Sequence, residues 1–370
     1  MRIGQLTLPF NWNYGGLLQG YALNKTLTGL GNDVILISRR QNRDNPVVRT
    51  VAWFKWELFK KLRHIPLFHV VPLICVEGFK RKYIKNITPD IFSESELKKV
   101  QSKYNLKGFV VGSDQIWNYN AAPHITNAFL DFVSDGPGVK RVSYAPSFGK
   151  DTWQYPEDAT IKCKSLVKKF DAVSAREQSG VQLCKQYLEV EAEHHLDPTM
   201  LLSKEDYINI INESKVAQSN GKLLSYILDF SDENQKIINE VKSVLNLEPY
   251  AVKQENKITL LKNAMKGIYP SVAQWLKSFH DAEFVVTDSF HGTIFSIIFN
   301  KPFLAIGNRK RGLARFNSLL KMFELEGRLV SGFDDVSKAN ILSPIDWSIV
   351  NQKIEIEKVK GIEYLGKHLK

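Results

Sequence analysis

The chain has 370 residues, of which 44% are hydrophobic and 24% charged, and this composition excludes a disordered, collagen-like or coiled-coil protein. At roughly 150 residues per domain, the length predicts two or three folding units. The formal net charge of +11 is regional, because residues 39–85 contain twelve lysines and arginines against three acidic residues. Such a cationic stretch suits a nucleic acid, an anionic membrane surface or a polyanionic substrate.

The first half of the chain has the sequence pattern of an α/β domain. Residues 2–8 predict a strand, residues 15–30 an amphipathic helix that ends at Gly31, and residues 33–38 a second strand. This βαβ unit predicts a parallel sheet with ligands at the carboxyl ends of its strands. Further strands are predicted at residues 108–112, 141–145 and 171–175.

The second half repeats this alternation after a linker predicted near residues 197–222. Strands are predicted at residues 223–228, 250–252, 283–287 and 303–306, and helices at 232–245, 272–280, 291–299, 313–324 and 347–370. Two α/β domains place the expected ligand site in a cleft between them. The predicted division is an N-terminal domain of residues 1–200, a C-terminal domain of residues 201–345 and a final helix of residues 346–370.

A basic insert at about residues 45–90 interrupts the α/β alternation. Its aromatic residues alternate with cations in an amphipathic helical pattern that includes Trp53, Trp56, Lys60 and Arg63. The pattern is typical of a helix at an anionic membrane surface. An ordinary helix packed on its own domain has the same pattern.

Other sequence features restrict the location and cofactors of the protein. No apolar run reaches the roughly 20 residues that cross a bilayer, and the first residues lack the pattern of a secretory signal. Three widely spaced cysteines, Cys75, Cys163 and Cys184, fit neither a disulfide framework nor a zinc site. We therefore expect a cytoplasmic protein without a structural metal.

The most informative candidate site lies between the strand at residues 283–287 and the next helix. Asp288, Ser289 and His291 surround the helix start, where backbone N–H groups and the helix dipole favour an anion. A histidine there can exchange protons near neutral pH. The structural alternative is that Asp288 or Ser289 caps the helix and His291 packs against a loop.

Three other segments follow predicted strands and carry polar or cationic side chains. Asp114 and Gln115 could bind hydroxyl groups, and Trp117 could stack on a sugar or fill the core. Arg176 has the planar fork that binds carboxylate or phosphate, or it forms an ion pair with a nearby acid. Asp197 precedes Pro198 and is interpreted as a turn former, with hydroxyl binding as the alternative.

The loop at residues 308–315 contains four cations, among them Arg309, Arg311 and Arg315, which could hold a phosphate. Charge runs of this kind are more often a solvated face. The chain has no GxxxxGK[ST], GxGxxG or HExxH motif. ATP binding by a P-loop, dinucleotide binding and zincin chemistry therefore have no motif support.

Taken together, six sequence blocks resemble the polysaccharide pyruvyl transferase family. They are NYGGLLQGYAL (13–23), GSDQIWN (112–118), SYAPSFG (143–149), SARE (174–177), DPTMLL (197–202) and DSFHG (288–292). The resemblance implies an α/β protein with two Rossmann-like domains facing across a cleft, as in GT-B glycosyltransferases. It also implies transfer of a pyruvyl group from phosphoenolpyruvate onto a sugar diol of a bacterial surface polysaccharide or its lipid-linked precursor.

The resemblance also assigns roles to individual residues. His291 matches the histidine associated with catalysis, and Arg176 matches an arginine associated with the donor. Some relatives carry an arginine where this chain has Ser289, and Arg309, Arg311 and Arg315 are the candidates to replace it. Backbone N–H groups at Ser289, Phe290, Gly292 and Thr293 are expected to hold donor oxygens, while Asn13, Gly15, Gly16, Asp114, Gln115 and Trp117 are expected to bind the acceptor.

In this setting the N-terminal domain is the acceptor side and the C-terminal domain the donor side. The expected partners are phosphoenolpyruvate and a glycan or polyprenyl-diphosphate-linked acceptor, with peripheral contact to an anionic membrane at the inner face of the cell membrane. No metal or other cofactor is expected. The alternatives are a GT-B nucleotide-sugar glycosyltransferase, because fold does not determine function, and a basic nucleic-acid-binding module, which no recognised motif supports.

Overall fold

The computed structural model describes residues 1–10, 13–41, 71–122, 124–219, 221–252, 270–307 and 312–370. The chain divides into two compact units, the first formed by residues 1–201 with 357–370 and the second by residues 202–356. Both units have an α/β architecture, and the strands of each sheet run parallel. The predicted α/β class is confirmed in each unit.

The first unit contains a four-stranded sheet with the order β2-β1-β3-β4 and a separate β5-β6 pair. The strands are β1 Arg2–Leu6, β2 Asp33–Ile37, β3 Gly108–Val111, β4 Lys140–Ser143, β5 Ser174–Ala175 and β6 Glu193–His194. The helices are α1 Tyr14–Gly29, α2 Val71–Tyr83, α3 Glu94–Leu97, α4 Val100–Lys103, α5 Glu157–Val167 and α6 Gln178–Leu183, with shorter turns at Ile125–Phe129, Cys184–Leu188 and Pro198–Leu201.

Apolar side chains cover both faces of the first sheet. Phe109 and Val111 of β3 belong to one buried cluster, whereas Val110 between them belongs to another. This alternation follows from the two-residue period of a strand. It explains why β3 has a continuous apolar sequence, as strands buried on both faces do.

The second unit contains a five-stranded sheet with the order β11-β10-β9-β7-β8. Its strands are β7 Leu223–Tyr226, β8 Pro249–Ala251, β9 Phe284–Thr287, β10 Phe303–Ile306 and β11 Leu329–Val330. Its helices are α7 Lys204–Glu213, α8 Asp232–Leu245, α9 Val272–Asp281, α10 Phe290–Ile298, α11 Ala314–Met322 and α12 Lys338–Leu342, with short turns at Glu326–Arg328 and Phe333–Asp335. Helix α13, Trp347–His368, begins in this unit and ends in the first.

The two sheets share a strand order that determines where ligands bind. Counted from the first strand of its own unit, each sheet runs 2-1-3-4, and the second sheet adds a fifth strand beyond the fourth. In open α/β sheets of this order, ligands bind at the carboxyl ends of strands 1 and 3, where the chain direction across the sheet reverses. These positions are the ends of β1 and β3 in the first unit and of β7 and β9 in the second.

The structure differs from the sequence predictions at three places. Residues 197–222, predicted as a linker, contain the helix α7, which begins at a capping box formed by Ser203 and Asp206. The strand predicted at residues 171–175 shortens to β5, and this segment is joined to β4 by a bridge between Val142 and Ala172 and by hydrogen bonds of the Ser143 and Ser174 hydroxyls. The end of α13 packs into the apolar cluster of the first unit through Leu365.

The basic insert lies largely outside the described residues, because residues 42–70 are not among them. Its end forms α2, where Phe79 packs edge-on against Tyr21 of α1 with ring centroids 5.4 Å apart. Among the helices that the structure describes, none is both long and apolar enough to cross a membrane.

Candidate functional site

In the first unit, the start of α1 and the loop after β3 approach each other at the reversal point of the sheet. Asn13 is the N-cap of α1, and its side chain does not cap the helix. A Cβ atom at Gly16 would lie 3.1 Å from Asp114 Oδ2 and 3.2 Å from Asn13 Nδ2. The glycine therefore lets the first turn of the helix, which also contains the buried Gly15, come close to the carboxylate. Three of the predicted acceptor residues are thus neighbours.

Asp114 is held from both its backbone and its side chain. Its φ of 51° lies in the left-handed region, which is uncommon for a residue other than glycine. Its carbonyl oxygen accepts a 2.8 Å hydrogen bond from the backbone N–H of Ser147. Its Oδ1 lies 3.7 Å from Nη2 of Arg176. The orientation of the carboxylate is therefore set by the fold.

Arg176 follows β5 and is enclosed by acidic side chains. Its Nη1 donates to Oδ2 of Asp197 at 2.6 Å, and the Arg176 and Asp197 side chains are 1% and 0% exposed. Burial by itself lowers the pKa of the guanidinium, but the charges of Asp197, Asp114 and Glu177 outweigh it, so the pKa of Arg176 is raised above its ordinary value. The structural alternative for Arg176, an ion pair with a nearby acid, is what the structure contains.

Sequence reasoning missed the importance of Asp197 and Glu177. Asp197 forms the predicted turn, since its Oδ1 accepts from the N–H and hydroxyl of Thr199, but its ion pair with Arg176 is not predicted. The Glu177 side chain is fully buried, and its Oε1 accepts from the Ser147 hydroxyl at 2.8 Å and from the Phe148 N–H at 3.0 Å. The clue was that SYAPSFG and SARE each contain the end of a predicted strand, since such ends meet at one sheet edge.

Two other predicted acceptor residues have different environments. Trp117 is 0% exposed, stacks on Phe129 with ring centroids 4.9 Å apart, and donates its indole N–H to the Ala128 carbonyl. The prediction that Trp117 stacks on a sugar is therefore wrong, because a fully enclosed ring has no face left for a ligand. Gln115 is half-buried, and its Oε1 accepts from Asn118 Nδ2 at 2.8 Å.

In the second unit, Asp288 joins the ends of the two strands at the reversal point. Its Oδ1 accepts from the Leu228 N–H at 2.7 Å and its Oδ2 from the Asp229 N–H at 2.9 Å. Leu228 and Asp229 follow β7, whereas Asp288 follows β9. The carboxylate thus fixes the loop after β7 relative to the start of α10.

More of the backbone N–H groups at the start of α10 donate hydrogen bonds within the chain than the sequence predicted. Ser289 is the N-cap, and its hydroxyl accepts from the Gly292 N–H; the Thr293 N–H donates to the Ser289 carbonyl. The Ser289 N–H donates to the Thr287 hydroxyl. The expectation that Ser289, Gly292 and Thr293 hold donor oxygens through their N–H groups is corrected, because all three groups donate within the chain.

Gly292 has a packing role at this helix start. A Cβ atom there would lie 2.3 Å from Thr287 Oγ1 and 3.1 Å from a ring carbon of Tyr226. Since real Cβ atoms do not approach other atoms that closely, only glycine lets α10 lie directly against the end of β9.

His291, Phe290 and Arg315 form the remaining part of this site. The rings of His291 and Phe290 have centroids 5.6 Å apart, and the guanidinium carbon of Arg315 lies 5.4 Å from the Phe290 centroid. Each of the three residues is at least nine-tenths buried. The Phe290 ring therefore contacts both the His291 imidazole and the Arg315 guanidinium. Arg309 and Arg311, predicted to share the donor site, lie outside the described residues.

The comparison with solved structures shows the fold. The chain is similar to the UDP-N-acetylglucosamine 2-epimerase from Neisseria meningitidis bound to UDP-GlcNAc, with 10% identity, a TM-score of 0.52, and coverage of 100% of this chain and 94% of that chain. It is also similar to the epimerase from Rickettsia bellii, with 11% identity, a TM-score of 0.48, and coverage of 98% and 97%. The first similarity confirms the predicted GT-B-like α/β fold class.

The comparison with family models identifies the kind of enzyme. No curated protein matches the chain significantly. A family model described as polysaccharide pyruvyl transferase matches residues 13–310, a range that includes Asn13, Asp114, Arg176 and His291. The chain therefore belongs to the polysaccharide pyruvyl transferase family of enzymes.

Proposed function

We propose that this enzyme transfers the enolpyruvyl group of phosphoenolpyruvate onto a sugar diol of a bacterial capsular polysaccharide or exopolysaccharide, or of a lipid-linked precursor. The products are a cyclic pyruvate ketal and inorganic phosphate. The observation that carries the proposal is the match of residues 13–310 to the pyruvyl transferase model, within which His291 stands at the start of α10 at the reversal point of its sheet.

The chemistry requires proton transfer at two kinds of atom. The methylene carbon of the enol phosphate gains a proton, and its neighbouring carbon becomes an electron-poor centre that a sugar hydroxyl attacks. Phosphate then leaves from that carbon, and the second hydroxyl attacks in its place. The two sugar hydroxyls release two protons in all. One of these protons balances the proton taken up by the methylene carbon, and the other leaves with phosphate. A histidine suits this exchange because it both donates and accepts protons near neutral pH, and we assign the exchange to His291.

The donor carries a carboxylate and a phosphate and requires fixed positive charge. Arg315 supplies it, with its guanidinium over the Phe290 ring that His291 also contacts, and a buried arginine forms charge-assisted bonds to both anionic groups. Because Ser289 takes the position of an arginine found in some relatives, Arg315 is our candidate for that missing contact. Arg309 and Arg311 precede Arg315 in the sequence and are further candidates.

The acceptor requires groups that recognise hydroxyls. Carboxylate and amide oxygens accept hydrogen bonds from sugar hydroxyls. Asp114 and Asn13 carry such oxygens, and both side chains lie next to Gly16 at the start of α1. We assign acceptor binding to these residues.

A polyprenyl-diphosphate-linked acceptor would place the enzyme at an anionic membrane surface, where the cations of residues 45–90 would bind. Flotation with anionic against neutral liposomes tests this, and binding to neither kind contradicts it.

Ligand-induced thermal stabilisation tests the choice of donor. Phosphoenolpyruvate should raise the melting temperature of the unaltered enzyme, since a ligand that binds only the folded state stabilises it. The Arg315→Gln variant should lose this shift. Arg328→Gln is the matched control, because Arg328 is also a buried arginine of the second unit but donates to the Asn340 carbonyl. The epimerase from Neisseria meningitidis was solved with UDP-GlcNAc, so nucleotide sugars are the competing ligands. Stabilisation by them alone would favour a glycosyltransferase instead.

A further inference from the structure

The geometry around Arg176 points to a role other than donor binding. We infer that Arg176, held by Asp197, is a positioning residue that orients the Asp114 carboxylate toward a hydroxyl of the acceptor sugar. This inference rests on the proposed pyruvyl transfer, because it assigns the residue to the acceptor part of that reaction. It differs from the expectation, drawn from the family resemblance, that Arg176 binds phosphoenolpyruvate.

The Arg176 guanidinium has very little accessible surface. The Arg176 side chain is only 1% exposed, against 9% for the Asp114 side chain that it faces, so Asp114 is the better placed of the two to contact a substrate. Asp197 takes up Nη1 at 2.6 Å, and Asp114 faces Nη2 at 3.7 Å. Asp114 is the more accessible of the two acids, with a side chain that is 9% exposed against 0% for Asp197.

The charges around Arg176 also favour a neutral acceptor over an anionic donor. The guanidinium faces two carboxylates within 4 Å, and Glu177 adds a third acidic group that raises its pKa. The formal charge of these four side chains is negative. Such a cluster repels a donor that carries both a phosphate and a carboxylate, whereas it attracts the hydrogen atoms of neutral sugar hydroxyls.

The Asp114 carboxylate extends from Arg176 toward the start of α1. One oxygen, Oδ1, is on the Arg176 side, and the other, Oδ2, is on the side of Gly16 and Asn13. The backbone at Asp114 adopts a φ of 51°, and the Ser147 N–H binds its carbonyl. The Thr199, Asp197, Arg176 and Asp114 side chains therefore form a chain of contacts whose last oxygen faces the start of α1.

Steady-state kinetics with two substrates test the inference. The donor is phosphoenolpyruvate, and the acceptor is the best substrate among methyl galactoside, methyl glucoside and methyl N-acetylmannosaminide. Arg176→Gln and Asp197→Asn should each raise the acceptor KM by about tenfold or more while leaving the phosphoenolpyruvate KM within about twofold, since only acceptor contacts are disturbed. Asp197→Asn keeps the arginine and gives the answer if Arg176→Gln does not fold.

Two further variants separate positioning from general structural damage. Arg39→Gln is the matched control, because Arg39 is a buried arginine of the same unit that pairs with Glu94 at 2.7 Å, and it should change neither KM. In an Asp114→Asn background, Arg176→Gln should add little to the acceptor KM, since both changes disturb the same contact.

The possible results distinguish the inference from the proposed function. A rise in the phosphoenolpyruvate KM in Arg176→Gln, with the acceptor KM unchanged, would overturn the positioning role and return Arg176 to the donor site. Full additivity of Arg176→Gln with Asp114→Asn would also overturn it. If the unaltered enzyme neither binds nor consumes phosphoenolpyruvate, the proposed function fails, and the inference fails with it.

Discussion

The Tyr364 hydroxyl donates a 3.0 Å hydrogen bond to the Ser143 carbonyl, 221 residues earlier in the chain. This contact joins the end of α13 to the carboxyl end of β4, which leads into the loop that Glu177 holds. Leu365, the next residue, is fully buried in the same apolar cluster as Ile3 and Val142. The part of α13 from Glu357 onward is therefore part of the first unit, although it follows the second in sequence.

Substitutions in this helix should separate hydrogen bonding from packing. Tyr364→Phe should lower the free energy of unfolding by about 1 kcal/mol, the usual net contribution of one hydrogen bond. Leu365→Ala should lower it by about 2–5 kcal/mol, because it leaves a cavity in the core. Urea unfolding measures both values. Equal effects of the two substitutions would contradict the placement of Leu365 in the first core.

The stability of the protein should fall in mild acid. Burial lowers the pKa of His194 and of His195. Glu193, 3.3 Å from His195 Nε2, only partly opposes the lowering of the His195 pKa. The unfolded chain takes up these protons near pH 6.5 and the folded chain only at lower pH, so stability present above about pH 6.5 is lost as the pH falls through the lowered values.

His195→Phe provides the test of this pH dependence. The phenyl ring should occupy the place of the imidazole beside Tyr144 and Tyr364, whose rings have centroids 5.7 and 4.6 Å from it. The free energy of unfolding, measured between about pH 7 and pH 5, should then fall less steeply than in the unaltered protein. An unchanged slope would show that His195 does not contribute.

Two ion pairs of similar length should differ greatly in their effect on stability. Asp197→Ala leaves the buried Arg176 without its 2.6 Å partner and should cost about 3–5 kcal/mol, as breaking a buried pair does. Asp33→Ala breaks the exposed 2.7 Å pair with Arg2 and should cost no more than about 1 kcal/mol. Chemical denaturation measures both. Comparable losses would mean that Arg176 is solvated in solution.

Gly292 should not tolerate even a methyl group. Gly292→Ala should destabilise the second unit by about 1–3 kcal/mol, since overpacking forces neighbouring atoms to move, and here the neighbour is Thr287 Oγ1. Gly29→Ala is the matched control. That glycine ends α1 with no atom within 4 Å of its Cβ position, so the change should be neutral or stabilise by up to about 1 kcal/mol. Equal thermal stabilities of the two variants would refute the packing role.

Local sequence patterns predicted the regular elements well where apolar spacing and a cap agree. Helix α8, Asp232–Leu245, and strand β10, Phe303–Ile306, have the predicted bounds, and the Ser231 hydroxyl caps α8. The helix α7 was missed, although Ser203 and Asp206 form its capping box, because its residues follow a Pro-containing turn. These features depend on neighbours within a few residues, which a sequence displays directly.

The candidate site depended on contacts that local patterns do not encode. Whether Trp117 would stack on a ligand or fill the core is decided by Phe129 and the Ala128 carbonyl. Asp197 forms the predicted turn with Thr199, but its ion pair with Arg176 joins residues 21 positions apart and has no local signal. The Gly16 contact with Asp114 spans two strands of the sheet. Position after a strand indicated where the site lies, but only the folded chain shows which side chains pair.

The most direct test of the account is the release of inorganic phosphate from phosphoenolpyruvate in the presence of sugar acceptors, with mass spectrometry of the products. We predict acceptor-dependent phosphate together with a gain of roughly 70 Da on the sugar, and a loss of about 10²- to 10⁴-fold in turnover in His291→Ala, the usual contribution of a general acid–base group. His280→Ala, at a partly exposed histidine of the same unit, should retain turnover. Phosphate release without the mass gain, or His291→Ala turnover within a few-fold of the unaltered enzyme, would contradict the account.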